Sequence, residues 1–291
     1  MSRFVLLSLF SIAVFTCTSI SANAFAQERG IDETVMAKLG WKVSLQCWTL
    51  RNNTLFEAIE IAQGLGIHHL EFFPGQKLDR DSPLKVGPDM GAEAVAKLKA
   101  KLGQAGIQAV GFGVTGISAN EAQARALFAW AKDLGIEVIN TEPSPDKKET
   151  LAMIRKLAEE YGIKVGCHNH PKPSTYWNPE FAVDVVKDYG PWLGLCTDTG
   201  HYLRSGLVTV DCLKKADGHI VSMHFKDLSE AKRDVPHGTG INHAAEQLAE
   251  INRQGFKGVI SIEYEVWDDQ QHKNLEKCVE FFNREAAQLS K

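Results

Sequence analysis

The chain has 291 residues and a formal net charge of −4 at pH 7. A mildly acidic protein has no electrostatic reason to bind nucleic acid or an anionic membrane, so we expect neither partner. No Pro/Ser-rich linker or low-complexity tract divides the sequence, and the length predicts one domain.

The amino terminus has the three regions of a secretory signal. Arg3 precedes an apolar stretch over residues 4–15, and small polar residues follow it up to position 26. A membrane anchor would need about 20 apolar residues, and residues 16–23 are too polar for one. We therefore expect a signal peptide at residues 1–26 and a mature domain at residues 27–291. The protein would be periplasmic or secreted, with no membrane attachment after cleavage.

A repeated unit occupies the rest of the chain. A helical stretch ends at Gly-Ile and a short apolar strand begins at once in LGIHHLEF, AGIQAVGF, LGIEVINT and YGIKVGCH, and in modified form in QGFKGVIS. Glycine at a helix end supplies the left-handed conformation that stops the helix. Capping patterns such as Thr54 with Glu57 mark helix starts between the strands.

Eight strands are predicted, each followed by a helix candidate. They cover residues 42–47, 69–72, 108–114, 137–142, 164–168, 193–198, 220–226 and 259–263. Eight β/α units in roughly 250 residues match an α/β fold of the TIM (β/α)8 barrel type. An open doubly wound sheet is the alternative, but no G-x-G-x-x-G turn follows the first strand. We expect a single-domain TIM barrel.

Four of the predicted strands end on a residue that can bind a divalent cation. These residues are Glu142, Asp198, His224 and Glu263, at the ends of strands four, six, seven and eight. All strand carboxyl ends of a TIM barrel open on one face, so the four can surround one ion. Three carboxylates and one imidazole suit a hard or borderline cation. We expect Mn²⁺, with Mg²⁺, Co²⁺ and Zn²⁺ as alternatives.

A second group of residues follows the same strand ends. Imidazoles and an ammonium can donate to and accept from sugar hydroxyls, and flat aromatic faces can stack on a sugar ring. The predicted substrate-binding residues are His168, His170, His201, Lys226, Trp48 and Trp177. We therefore expect a small-molecule carbohydrate substrate. His237 is left without a role, and the sequence is compatible with a homo-oligomer.

Seven motifs carry a resemblance to a known family. They are LEFFPG, NTEPS, HNHP, DTGH, HFKD, VPHGTG and SIEYE, and they are spread over the mature chain. The chain resembles the xylose isomerase-like TIM barrels, which include sugar phosphate isomerases/epimerases and ketose 3-epimerases. The resemblance implies that Glu142, Asp198, His224 and Glu263 bind the metal and that His201 lies beside the substrate. It also implies that Glu142 and Glu263 form an acid/base pair.

The implied activity is a divalent-metal-dependent isomerase or epimerase that removes a proton next to a carbonyl. Export favours an unphosphorylated sugar or keto-sugar as substrate. One feature departs from the family, since the arginine expected after the seventh-strand histidine is missing, and Arg233 is the nearest substitute.

The sequence bears on three other activities. A lyase/hydratase of 3-keto-glycosides, of the 3-keto-2-hydroxyglucal type, would use the same first step and stays open. A sugar-binding protein without turnover is less favoured. An endonuclease IV-like nuclease is disfavoured, because it would need histidines at the ends of strands two and three, where the chain has Glu71 and Val114.

Overall fold

Eight parallel strands form a closed barrel in the computed structural model, which describes residues 30–291. The strands are β1 (Trp41–Gln46), β2 (His69–Phe72), β3 (Gln108–Phe112), β4 (Val138–Thr141), β5 (Lys164–His168), β6 (Leu193–Asp198), β7 (Ile220–Phe225) and β8 (Gly258–Ile262). Each strand pairs with the next in sequence, and β8 closes the barrel against β1. The predicted single-domain TIM barrel is confirmed. The predicted signal peptide lies outside the described residues.

Helices surround the barrel and connect its strands. They are α1 (Glu33–Leu39), α2 (Leu55–Gly64), α3 (Ala92–Ala105), α4 (Glu121–Leu134), α5 (Lys148–Tyr161), α6 (Pro179–Val186), α7 (Thr199–Arg204), α8 (Thr209–Lys215), α9 (Ala244–Arg253) and α10 (Gln271–Leu289). A 3-10 helix, Cys47–Leu50, follows β1. After β7, Asp227–Leu228 pairs antiparallel with Asp234–Val235. Within residues 30–291 no helix is long and apolar enough to span a bilayer.

The predicted helix boundaries have the expected local chemistry. Gly135 and Gly162 end α4 and α5 with φ values of 81° and 67°, a left-handed conformation that glycine adopts without a steric penalty. At the start of α2, Thr54 accepts from the Glu57 backbone N–H, and the Glu57 carboxylate accepts from the Thr54 backbone in return. These helix boundaries keep the loops between helices and strands short, so that each strand lies beside the previous one.

Strand register brings the chemically active residues to one end of the barrel. Asp198 lies opposite His224 where β6 pairs with β7, and Ser261 lies opposite His224 where β7 pairs with β8. Glu142 and Glu263 each follow the last residue of their strand by one position. The carboxyl ends of four strands therefore carry the predicted ligands at a similar height along the barrel.

The loop after β7 is held by a buried carboxylate. One oxygen of Asp227 accepts from the backbone N–H groups of Gly238 and Gly240, each at 2.9 Å. Its other oxygen accepts from the Asn242 and Leu228 backbone N–H groups. The HFKD and VPHGTG motifs therefore form one structural unit, in which the aspartate of the first orders the turn of the second.

Candidate metal centre

Three of the four predicted ligands form one compact, buried set. Asp198, His224 and Glu263 each offer a ligand atom, and these atoms all lie within 4.8 Å of one another. All three side chains are at most 5% exposed. Two carboxylates and an imidazole are a donor set that a divalent cation of borderline hardness accepts. The residues present therefore fit such a cation in chemistry and in spacing.

The ammonium of Lys226 lies between the two carboxylates of this set. Its Nζ atom is 2.5 Å from Asp198 Oδ2 and 2.8 Å from Glu263 Oε2, and the side chain is fully buried. Burial opposes a charged amine, but the two carboxylates outweigh it and raise the pKa of Lys226. The predicted substrate-binding lysine is therefore a direct partner of two predicted metal-ligand carboxylates. A cation bound to both carboxylates would replace or share these contacts.

Both carboxylates of the set are held in the ionised form. Burial disfavours the charged state of Asp198, but the Lys226 ammonium and a hydrogen bond from His168 outweigh it and keep its pKa well below the usual range. Burial likewise opposes the charge on Glu263, and Lys226 with His224 lowers its pKa. Ionised carboxylates are the form that binds a metal. The two carboxylates of the set are therefore in their metal-binding form at neutral pH.

The fourth predicted ligand, Glu142, lies in a neighbouring cluster. Its Oε1 atom is 3.0 Å from His168 Nδ1, and it also contacts His170 Nδ1. Burial would raise the pKa of Glu142, but these two hydrogen bonds lower it to about 2. The other nitrogen of His168 is 3.5 Å from Asp198 Oδ2. His168 therefore stands between Glu142 and the three-residue set, and the structure does not gather all four ligand atoms around one point.

A buried glutamate that was given no role from the sequence supports His224 from behind. Glu71 Oε1 is 2.9 Å from His224 Nε2, while His224 Nδ1 faces Glu263 Oε2 at 2.9 Å. Asn140 Nδ2 donates to the same Glu71 oxygen at 2.7 Å, and the Ser261 hydroxyl donates to the other. A carboxylate on the far nitrogen is the usual support of a metal-binding histidine. This arrangement leaves Nδ1 as the ligand atom.

The sequence did contain a signal for Glu71. It stands inside the apolar strand LEFF, where a fully buried carboxylate needs a polar partner.

A cavity of about 320 Å³ opens above the three-residue set. Its walls include His168, His170, His201, His224 and Glu263 together with Trp48, Phe73 and Glu265. The size lies at the lower end of the range for small-molecule sites. Four predicted substrate-binding residues, Trp48, His168, His170 and His201, therefore line one cavity.

Trp177 lies elsewhere. It lines a separate depression next to the start of α6, and Lys172 Nζ lies over its ring at 3.8 Å. The sequence placed Trp177 in the loop after β5, but it could not show which way the ring points. The structure thus does not bring Trp177 to the cavity with the other predicted substrate-binding residues.

An arginine does reach the cavity wall, from α7. Arg204 Nη1 lies 3.2 Å from His201 Nδ1 and 3.2 Å from Glu265 Oε2, and Nη2 lies 2.7 Å from Asp234 Oδ1. Burial lowers the pKa of His201 to about 2, so its ring is neutral, and Arg204 can only donate. His201 Nδ1 is therefore the acceptor and Nε2 carries the proton. Arg233, the substitute considered from the sequence, is exposed on the hairpin.

Comparison with known proteins places the chain in a family of TIM barrels. The family described as Xylose isomerase-like TIM barrel matches residues 59–285. An uncharacterised protein from Methanocaldococcus jannaschii is 31% identical over 150 residues, which are 49% of this chain and 51% of that protein. The chain thus spans about half the length of the curated relative it matches.

Solved structures match most of the chain. An uncharacterised protein from Parabacteroides distasonis is 31% identical with a TM-score of 0.68, covering 84% of this chain and 99% of that one. A D-tagatose 3-epimerase-like protein is 21% identical with a TM-score of 0.63, covering 84% and 98%. A probable 3-DHS dehydratase from Bacillus anthracis is 16% identical with a TM-score of 0.61, covering 82% and 97%. The last two likenesses show a shared fold.

Proposed function

The chain belongs to the xylose isomerase-like TIM barrel family, and from that premise we propose that it is a divalent-metal-dependent sugar isomerase or epimerase. It would remove and return a proton next to the carbonyl of an unphosphorylated sugar or keto-sugar. One observation carries the proposal. Asp198, His224 and Glu263 form a buried ligand set at the floor of a cavity sized for a small molecule. Mn²⁺ is the cation we favour.

The chain's own residues supply the proton transfers. Glu263 is an ionised carboxylate on the cavity wall, and Glu142 is a second one in the adjacent cluster with His168 and His170. One removes the proton and the other returns it on the opposite face, as the family resemblance implies. A bound divalent cation would stabilise the negative charge that develops on the substrate oxygens, by several kcal/mol.

Other residues position the substrate and keep water out. The neutral His201 ring faces the cavity, and its protonated Nε2 can donate to a sugar hydroxyl or carbonyl oxygen. The Trp48 and Phe73 rings form an apolar wall, which covers one side of a bound sugar. Arg204 acts through His201, because the guanidinium N–H that donates to His201 Nδ1 fixes the tautomer of the imidazole ring.

A second candidate reaction is elimination from a 3-keto-glycoside, or hydration of the resulting enone. It begins with the same proton removal, and the resemblance implies it, since exported family members with motifs similar to HFKD and VPHGTG are associated with 3-keto-glycosides. The proposal of export depends on residues 1–26, whose composition is that of a signal peptide. The two reactions differ in product, since only elimination releases the glycosidic substituent.

Solvent exchange tests the proposed function. The mature protein is incubated with Mn²⁺ in D₂O with free ketoses and with 3-keto-glycosides, and the products are followed by proton NMR. We expect deuterium to enter the carbon next to the carbonyl, with an epimeric sugar or a released substituent identifying the reaction. If the metal-replete protein binds sugars but no deuterium enters the carbon next to the carbonyl, the proposed enzymatic function is wrong and a sugar-binding protein is supported instead.

A further inference from the structure

A second cavity adjoins the one above the metal centre. It has a volume of about 420 Å³ and is lined by residues of the 3-10 helix after β1, the turn that follows it, and the loop after β2. Trp48 and Phe73 line both cavities. Their rings meet edge to face at 5.2 Å, so this aromatic pair is the boundary between the two spaces. A ligand too large for the first cavity can pass this boundary into the second.

The floor of the second cavity is ordered by backbone hydrogen bonds. The Leu55 N–H donates to the Lys77 carbonyl at 2.8 Å, and the Val86 N–H donates to the Gln76 carbonyl at 2.8 Å. Arg51 lies over the Trp267 ring at 3.6 Å and over the Trp48 ring at 4.9 Å. These contacts fix Trp48 from the side away from the metal centre. The cavity is therefore preformed.

The second cavity is lined by groups that can hydrogen-bond a polyhydroxylated ligand. Its lining residues include the amides of Asn52, Asn53 and Gln76 and the hydroxyl of Thr54 together with the cations of Arg51 and Lys77, and none of them carries a carboxylate. Gln76 is 2% exposed, and its Nε2 donates to the Asn53 carbonyl. Its Oε1 has no hydrogen-bond partner among the described residues. A buried acceptor without a partner is costly, and a turn of the Gln76 amide towards the cavity would let a ligand hydroxyl satisfy it.

We propose that this second cavity binds a sugar ring glycosidically linked to the ring that reacts at the metal centre. The proposal rests on the proposed function and narrows its substrate class from free monosaccharides to disaccharide-sized glycosides. The reacting ring lies over Asp198, His224 and Glu263. The linked ring crosses the Trp48–Phe73 pair and meets the amides beyond it.

The test compares 3-keto-glucose with a disaccharide that carries the same 3-keto-glucosyl ring. The rate of deuterium exchange next to the carbonyl is measured for both with the Mn²⁺-loaded mature protein. We expect kcat/KM for the disaccharide to exceed that for the monosaccharide by about tenfold or more. The variant Asn52→Trp fills the second cavity from an exposed position, and it should bring this ratio close to one. The matched control Gln104→Trp, exposed on α3, should preserve the ratio.

Saturation-transfer NMR of the bound disaccharide supplies a readout that does not depend on turnover. We expect saturation on both rings in the wild-type protein and loss of it from the linked ring in Asn52→Trp. Exchange at equal kcat/KM on both sugars, with saturation on one ring only, would overturn the second subsite and leave the proposed function standing. Absence of exchange on either sugar would overturn the proposed function, and the saturation pattern would still decide the subsite.

Discussion

Glu142 and Glu263 lie in different clusters of the candidate centre, and this separation predicts different consequences for their removal. Glu263 shares its cluster with Asp198 and His224, whereas Glu142 is held by His168 and His170. We expect Glu263→Gln and Glu142→Gln each to lower turnover by a factor of about 10² or more, the usual contribution of an acid/base group. Mn²⁺ affinity should fall strongly in Glu263→Gln and stay within about threefold in Glu142→Gln. Isothermal calorimetry and exchange kinetics measure the two effects.

The exposed residue Glu149, in the first turn of α5, supplies the matched control for this pair. Glu149→Gln should change neither property. Equal loss of Mn²⁺ affinity in both catalytic variants would show that Glu142 turns from His168 to join the metal ligands, as the family resemblance implies. Unchanged turnover in either variant would remove that residue from the acid/base pair.

Lys226 is a positive charge fixed between two carboxylates that we propose as metal ligands, so its removal should strengthen metal binding. In Lys226→Met the side chain keeps its volume, while Asp198 and Glu263 lose their counter-charge. Breaking a buried ion pair from one side costs about 3–5 kcal/mol. We expect the metal-free variant to lose stability of that order in urea unfolding, and Mn²⁺ to bind about tenfold more tightly or better.

Lys215 pairs with Glu180 on the surface, and Lys215→Met is the matched control. This exposed pair should contribute little to stability, because solvent screens it. Weaker Mn²⁺ binding in Lys226→Met would contradict competition between the ammonium and the cation. It would mean that the lysine holds the two carboxylates in position for the metal.

At the scale of elements, Gly166 of β5 has no side chain and so leaves room inside the barrel for Asn140 of β4. A Cβ atom at Gly166 would lie 2.6 Å from Asn140 Oδ1 and 2.8 Å from the Cβ of Cys196. Asn140 itself links the Ser222 hydroxyl to Glu71. We expect Gly166→Ala to destabilise the protein by about 1–3 kcal/mol, because an extra methyl overpacks a closed interior. Urea unfolding measures the loss.

Gly64→Ala in α2 is the control for this change. No heavy atom lies within 4 Å of a Cβ at Gly64, and alanine is the better helix former. This variant should be more stable by about 0.5–1 kcal/mol. A loss of stability at Gly64 as large as that at Gly166 would contradict an explanation based on crowding.

The elements were predictable from the sequence because their signals are local. Glycine stops, capping residues and apolar runs gave eight strands whose observed limits differ from the predicted ones by at most two residues, as for β3, which ends at Phe112 and not at 114. Strand ends then placed Asp198, His224 and Glu263 on one face. Side-chain direction is not local, since it depends on packing between strands. For this reason the sequence did not separate Glu142 from the other ligands or turn Trp177 away from the cavity.

At the scale of the whole molecule, a buried histidine links the loop after β7 to the last helix. His237 packs against the rings of Phe225, Phe281 and Phe282, with ring centroids 5.0, 6.0 and 5.7 Å away. Burial lowers the pKa of His237 to about 3 from its ordinary value of 6.5. The native protein therefore keeps this ring neutral through a pH range in which the unfolded chain protonates it.

Stability should consequently fall as the pH falls from 6.5 towards 3. In that window the unfolded state binds a proton at His237 and the native state does not, so each pH unit removes at most about 1.4 kcal/mol. His237→Phe keeps an aromatic ring in the site and removes the titration. We expect its free energy of unfolding in urea to depend less steeply on pH between 6 and 4 than that of the wild-type protein. His272→Phe, on the exposed face of α10, is the matched control that removes an imidazole from the surface. If the free energy of unfolding of His237→Phe depends on pH as steeply as that of the wild-type protein, the prediction is wrong. The native protein would then accept a proton on His237 between the loop and the last helix.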